Sequence, residues 1–334
     1  MNENRTNTEK NSAKPELLFA PMEGITYAAF RTFHQKFFPG ASEYFTPFIA
    51  PDKSGAFKKK YLKELTNGYP SVPQLLVNHA DAFNIVAWKL YDLGFREINL
   101  NTGCPSATVY AKHKGAGMLR NLDSLAQILE AVFDQAERLG YHVSIKTRMG
   151  DHSTSEFPEI LSVYSRFPLS RLIVHARCRD DFYRGTVDVP GFRKARELCR
   201  FPLVYNGDIR SEADLHHLVK STRPESVMIG RGAVTNPALF RELSGGGRLK
   251  SAELQDFLEG LTEIWTESGL SPKFAMERMK TLWTYMKDLF PDEKKLIKSI
   301  LKSNTMEEYK ASVSVLLRSR EPSGIHRNDQ SAFK

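Results

Sequence analysis

Two periodicities share the first 245 positions of the chain. Short apolar runs closed by Gly, Pro, Asn or Asp alternate with longer stretches whose apolar residues recur every three or four positions. The runs predict eight strands, at residues 17–20, 43–48, 72–77, 97–101, 143–147, 172–175, 203–206 and 226–229. The intervening stretches predict helices, among them one capped at Thr26, a basic one over 58–65, one begun by Asp81 and running to Leu93, and one over 122–139. Polar residues that do not belong in buried parallel strands gather where those strands end. That pattern predicts an α/β protein built as a (β/α)8 TIM barrel with its active site on the C-terminal loops.

After Leu243 the period changes. Gly245, Gly246 and Gly247 make a flexible break. Beyond it Leu254, Phe257, Leu258, Leu261, Ile264 and Trp265, then Met279, Leu282, Trp283, Met286 and Leu289, fall at helical spacing. The expected organisation is a polar tail over 1–14, a barrel over 15–244, a small all-α unit over 248–320 and a flexible tail over 321–334.

The composition, 41% hydrophobic and 26% charged, suits a globular protein with a substantial core. No run reaches the roughly 20 apolar residues of a membrane span, and the first fourteen residues lack the apolar segment of a signal peptide. A cytoplasmic location without membrane attachment follows. The three cysteines, Cys104, Cys178 and Cys199, have neither CxxC nor Cys/His metal spacing, so neither a disulfide framework nor a metal site is expected. A net charge of +8 points weakly to a polyanionic partner. A monomer is expected, although no residue pattern defines the quaternary state.

Cys104 stands on the loop leaving the fourth strand, either as a small buried hydrophobe or as a reactive thiol. A thiol is mostly protonated at neutral pH and can donate a proton, while Asn101 can hydrogen-bond a planar amide-like ring in two directions. His113 lies close in sequence, but no third group is visible to orient it as the base of a cysteine nucleophile.

Asn206-Gly207-Asp208 and Gly230-Arg231-Gly232 follow the seventh and eighth strands, where barrels commonly hold phosphate; each is otherwise an ordinary turn. Lys146 and His175 add positive charge and a donor between the cysteine loop and these turns, unless they are a paired lysine and a core histidine. A reduced flavin is negative near N1 and O2, so flavin mononucleotide (FMN) fits the set.

The segments APMEGIT (20–26), NLNTGCP (99–105), KGAG (114–117), IKTRMG (145–150), VHAR (174–177), NGDI (206–209) and IGRG (229–232) together resemble the tRNA-dihydrouridine synthase family, in order, over about residues 16–320. The resemblance implies an FMN-containing barrel, NADPH as electron source, reduction of the uracil C5=C6 bond in tRNA, and a C-terminal helical unit that grips the RNA. By position it implies that Pro21, Met22 and Glu23 line the flavin, that Gln74 and Lys146 hydrogen-bond its ring, and that His175 lies against it. It assigns the phosphate end to Asn206, Gly207, Asp208, Gly230 and Arg231. Cys104 becomes the acid that protonates C5, Asn101 orients the uracil and Arg177 reaches the substrate. The chain departs from many relatives at Ala107, where a basic residue is common, and at Ala176 and Cys178 of the His-Gly-Arg-Thr segment.

A uracil can enter such a pocket only once it leaves its stack. The grip this needs has candidates in Lys58, Lys59, Lys60 and Lys63, in Lys112 and Lys114, and in Lys294, Lys298 and Lys302, all equally readable as solvated faces. Residues 248–320 hold thirteen Lys+Arg against eleven Asp+Glu, so any RNA footprint there comes from arrangement. The competing readings are an FMN barrel acting on a small molecule, ribosomal RNA as the substrate, an RNA-binding protein without catalysis, and a flavin-free phosphate-binding isomerase.

Overall fold

The computed structural model describes residues 14–52, 54–56, 59–66 and 68–323. In chain order the elements are β1 (Glu16–Phe19), α1 (Ala28–Phe37), β2 (Glu43–Tyr44), α2 (Lys59–Thr66), β3 (Gln74–Leu75), α3 (Ala80–Asp92), β4 (Glu97–Thr102), α4 (Ala107–Tyr110), α5 (Leu122–Leu139), β5 (His142–Gly150) and α6 (Phe157–Tyr164). They continue as β6 (Leu172–Cys178), α7 (Val189–Leu198), β7 (Leu203–Asn206), α8 (Glu212–Thr222), β8 (Ser226–Ile229), α9 (Arg231–Thr235), α10 (Leu239–Leu243), α11 (Ser251–Glu267), α12 (Pro272–Met286), α13 (Lys294–Lys302) and α14 (Met306–Ser319).

The eight strands form one parallel sheet in the order β2-β1-β8-β7-β6-β5-β4-β3. Parallel bridges Phe45↔Val72 and Ile49↔Leu75 join its two edges, which makes it a TIM barrel. β2 and β3 are shorter than the predicted 43–48 and 72–77, because Pro47 and Pro73 have no amide hydrogen to donate to a ladder. β5 and β6 instead run past their expected ends, to Gly150 and Cys178.

Successive strand residues face opposite sides. One set, Leu18, Ala20, Phe45, Val72, Ile173, Val204 and Met228, packs together as an inner apolar plug. The other, with Phe19, Leu100, Ile145, Val174 and Tyr205, joins the core shared with the helices. On β6 and β7 the position next to the plug toward the C-terminal end is polar, while β5 gives the plug no residue and is polar both at Lys146, level with Ile173, and at Arg148. Arg148 pairs in register with His175, and His175 with Asn206, so three polar side chains stand side by side on the C-terminal side of the plug.

Two expected helix caps are corrected. Thr26 does not cap α1: its hydroxyl donates to Met22 O and accepts from Met22 N, while the Glu64 carboxylate accepts from Ala28 N at the helix start. Asp81 lies in the first turn of α3, one residue inside the helix, where its charge complements the helix dipole.

The C-terminal helices share the barrel's core. Phe257 of α11 lies 5.2 Å from Phe38, 5.5 Å from Phe33 and 6.1 Å from Phe30 between ring centroids. Arg241 straps the triglycine segment, donating to Gly247 O at 3.0 Å and to Glu253 at 2.8 Å. Among the described residues no helix is long and apolar enough to cross a membrane. Most of the expected tails, residues 1–13 and 324–334, lie outside the described residues, as does Lys58.

Candidate active site

A cavity opens at the C-terminal end of the barrel, lined by Pro21, Met22, Glu23, Gln74, Asn101, Cys104, Lys146, His175, Asn206, Gly207, Asp208, Gly230 and Arg231. Of the pocket residues expected from sequence, Arg177 alone does not border it. Phe48, Arg148, Tyr183, Arg210 and Tyr285 also contribute to the wall.

The cysteine loop is held from both sides. Beneath it, the Asn101 side-chain oxygen accepts from the backbone N–H groups of Gly103 (3.0 Å) and Cys104 (2.9 Å). Asn101 Nδ2 donates to Gln74 Oε1 at 2.8 Å, and Gln74 in turn donates to Asn99 at 2.8 Å. Asn101 therefore keeps one N–H free of these contacts and first of all positions Cys104, a role beyond the base-orienting one expected of it. Above the loop, Ala116 N donates to Cys104 O at 3.1 Å. Gly115 (φ +58°) makes the approach possible, since a Cβ there would stand 2.8 Å from Cys104 O. Burial pushes the Cys104 thiol up from its ordinary pKa, so at neutral pH it carries its proton.

Lys146 finds the partner that its burial demands: Nζ donates to Asn206 Oδ1 at 2.9 Å, and Asn206 Nδ2 donates to Met228 O at 2.7 Å. Burial, reinforced by Arg148, brings the Lys146 ammonium down to about 7. His175 is held well below its ordinary range by burial and by the cations Arg148, Lys146, Arg177 and Arg231, so it stays neutral.

At the other end Asp208 (φ +35°) is gripped by two guanidinium groups, Arg177 Nη2 and Arg231 Nη2, each at 2.5 Å. Arg177, expected to reach the substrate, does not border the cavity: its side chain is only 1% exposed and donates to Asp208, to Arg184 O (2.8 Å), to Gly185 O (2.6 Å) and, from Nη1, to His175 Nε2 (3.4 Å). Arg148 donates to Gly103 O (3.0 Å), Cys178 O (2.8 Å) and Phe182 O (2.5 Å), and Arg231 to Tyr183 O (3.3 Å). The carbonyls of residues 182–185 are thus each held by an arginine, which fixes Tyr183 at the rim, 6.0 Å from His175 between ring centroids.

Cys178 is buried and donates to His152 O, away from the cavity lining. Asp151, His152 and Asp180 bring three potential ligand atoms within 4.8 Å of one another, but His152 already hydrogen-bonds Asp180 at 2.7 Å and is raised in pKa chiefly by it.

Comparison with known proteins sets these features beside relatives. The family described as Dihydrouridine synthase (Dus) matches residues 18–319. A probable tRNA-dihydrouridine synthase of Rhodobacter capsulatus is 30% identical over 67% of this chain and 69% of its own length. A tRNA-dihydrouridine(16) synthase of Neisseria meningitidis is 29% identical over 85% of this chain and 89% of its own. Among solved structures, histamine dehydrogenase from Rhizobium sp. 4-9 shares the fold, with a TM-score of 0.54 at 12% identity over 83% of this chain and 51% of that one.

Proposed function

Because the chain belongs to the dihydrouridine synthase family, we propose that its barrel pocket reduces the C5=C6 bond of uridines in tRNA, with FMN as resident cofactor and NADPH as electron donor. The observation that carries the reading is a protonated, clamped Cys104 sharing one cavity with a buried lysine, Lys146, and with the Arg231 turn.

The residues present fit the cofactor. Gln74 retains an amide N–H, and Lys146 offers a cation to the electron-rich edge of a reduced flavin ring. The backbones of Gly207 and Gly230 can approach a phosphate, and Arg231 supplies its charge. Asp208, whose carboxylate would repel that phosphate, is neutralised by Arg177 and Arg231. When bound, the flavin supplies the hydride that uracil C6 receives, drawn from NADPH. This chain's own part is to orient the base, through the remaining N–H of Asn101, and to give C5 a proton from the Cys104 thiol. Neutral His175 adds no charge beside the ring and can serve as a hydrogen-bonding group.

Relatives named for tRNA support an RNA substrate. In α13, Lys294, Lys298 and Lys302 are exposed and form no ion pair among the described residues, while Ile297 and Ile300 face the core. The helical unit over 248–320 is therefore proposed to carry the RNA. Lys63 and Lys112 are exposed cations on the barrel side. The reading implies a cytoplasmic monomer.

The test is to purify the chain, record its visible spectrum, and incubate it with NADPH and unmodified tRNA, scoring dihydrouridine by mass spectrometry beside free uridine. A yellow protein that modifies tRNA and leaves free uridine intact is expected. A colourless protein, or equal turnover of free uridine, rejects the reading.

A further inference from the structure

α12 and the turn that follows it reach the barrel mouth. Tyr285, near the end of α12, lines the cavity together with Arg210, Arg231 and Tyr183. Its ring is half-buried, and its hydroxyl makes no hydrogen bond among the described residues. Burial raises its pKa while Arg231 pulls it down, so the phenol is a neutral donor that feels the charge at the anion end of the pocket.

Three residues later Asp288 lies 3.6 Å from Arg210, on the loop that follows the Asn206-Gly207-Asp208 turn. Segment 285–288 thus makes two separate contacts with one end of the cavity. One places a neutral O–H donor on its wall. The other pins a cation that lines it. Sequence position alone assigns both residues to the helical unit, more than fifty residues beyond the last strand.

We propose that Tyr285 and Asp288 form an outer latch on the anion end of the pocket, so that the C-terminal helical unit helps retain the phosphate-bearing cofactor as well as holding RNA. This rests on the functional reading above and assigns Tyr285 to the phosphate group and Asp288 to positioning Arg210. A phosphate leaving the pocket must break the phenol contact and pass an arginine that Asp288 holds in place. Arg231, already shared with Asp208, cannot by itself saturate three phosphate oxygens.

The test uses the full chain and compares FMN with riboflavin, which has the same ring system and no phosphate. Dissociation constants are read by quenching of flavin fluorescence for wild type, Tyr285→Phe and Asp288→Asn, with circular dichroism to verify folding. A hydrogen bond to a charged group contributes about 1.5–3 kcal/mol, so Tyr285→Phe is expected to weaken FMN about tenfold or more and to leave riboflavin within about twofold. Asp288→Asn is expected to weaken FMN about threefold, with the same selectivity. Unchanged FMN affinity in both variants overturns the latch, as does equal weakening of FMN and riboflavin. If wild type itself binds neither flavin, the functional reading fails instead, and the two failures are distinguishable.

Discussion

Arg177 and Asp208 form a buried ion pair at 2.5 Å, with side chains 1% and 3% exposed, and Arg231 completes it from the other carboxylate oxygen. One acidic residue therefore sets the place of two cations from different strand ends. It also holds Arg177 back from the cavity while leaving Arg231 on its wall. Asp208→Asn leaves both guanidinium groups without their counter-charge in a buried setting. Breaking such a pair costs about 3–5 kcal/mol, so a fall of this order in urea-unfolding free energy is expected, with loss of FMN. A variant with wild-type stability and flavin content would show that the pair is incidental.

The clamped thiol yields a sharper separation. Cys104 is tied to the rest of the cavity through its backbone bonds with Asn101 and Ala116, which Cys104→Ala preserves. Flavin content and NADPH oxidation by the bound flavin should therefore remain, while dihydrouridine formation drops by about 10²–10⁴, the usual contribution of a positioned acid. Stopped-flow absorbance separates the two half-reactions. Unaltered dihydrouridine formation would remove Cys104 from the chemistry.

Lys146 makes a pH-dependent demand on folding. Its pKa in the fold is about 7, against an ordinary value of 10.5, and burial is the main cause. Between these values the unfolded chain binds the proton and the folded chain does not, so stability rises with pH. Below about 7 both states are charged and the full cost of the buried cation is present; above about 10.5 neither is, and the cost is gone. In flavin-stripped protein, wild type is therefore expected to gain on Lys146→Met as pH increases from about 7 to about 9, by at most about 1.4 kcal/mol per unit. Parallel urea midpoints for the two proteins across that range would contradict this.

How much of this is legible in the chain depends on the range of the interaction. Residues 122–139, 203–206 and 226–229 have in the fold the boundaries that their periodicity predicts, because a run closed by its own turn residues needs little outside help. The cysteine loop and the turns at 206–208 and 230–232 are visible for the same reason. Arg148 follows Lys146 by two residues and so faces the same side of β5; strand alternation carried to the end of the strand is the signal that finds it, and the predicted strand ends one residue short, at 147. For Arg177 the choice between a ligand and a carboxylate is made by Asp208, thirty-one residues away, which no local pattern reveals. Tyr285 gives no local sign, since a tyrosine in an amphipathic helix looks the same whether it meets a pocket or solvent.

The proposed RNA face is open to a test that leaves the pocket intact. Lys294, Lys298 and Lys302 project from α13 on the side away from Ile297 and Ile300, so charge reversal there should not disturb the core. If these cations pair with RNA phosphates, removing each pairing lowers the slope of log affinity against log salt by about 0.7–0.9. The triple change to Glu is then expected to raise the KM for tRNA at least about tenfold, flatten its salt dependence by about two units and leave FMN content and NADPH oxidation untouched. Truncation at Gly247 is a poorer probe, because it also strips Phe257 from Phe30, Phe33 and Phe38 and Tyr285 from the cavity. An unchanged salt slope in the triple variant would move the RNA footprint elsewhere, with Lys63 and Lys112 the next cations to reverse.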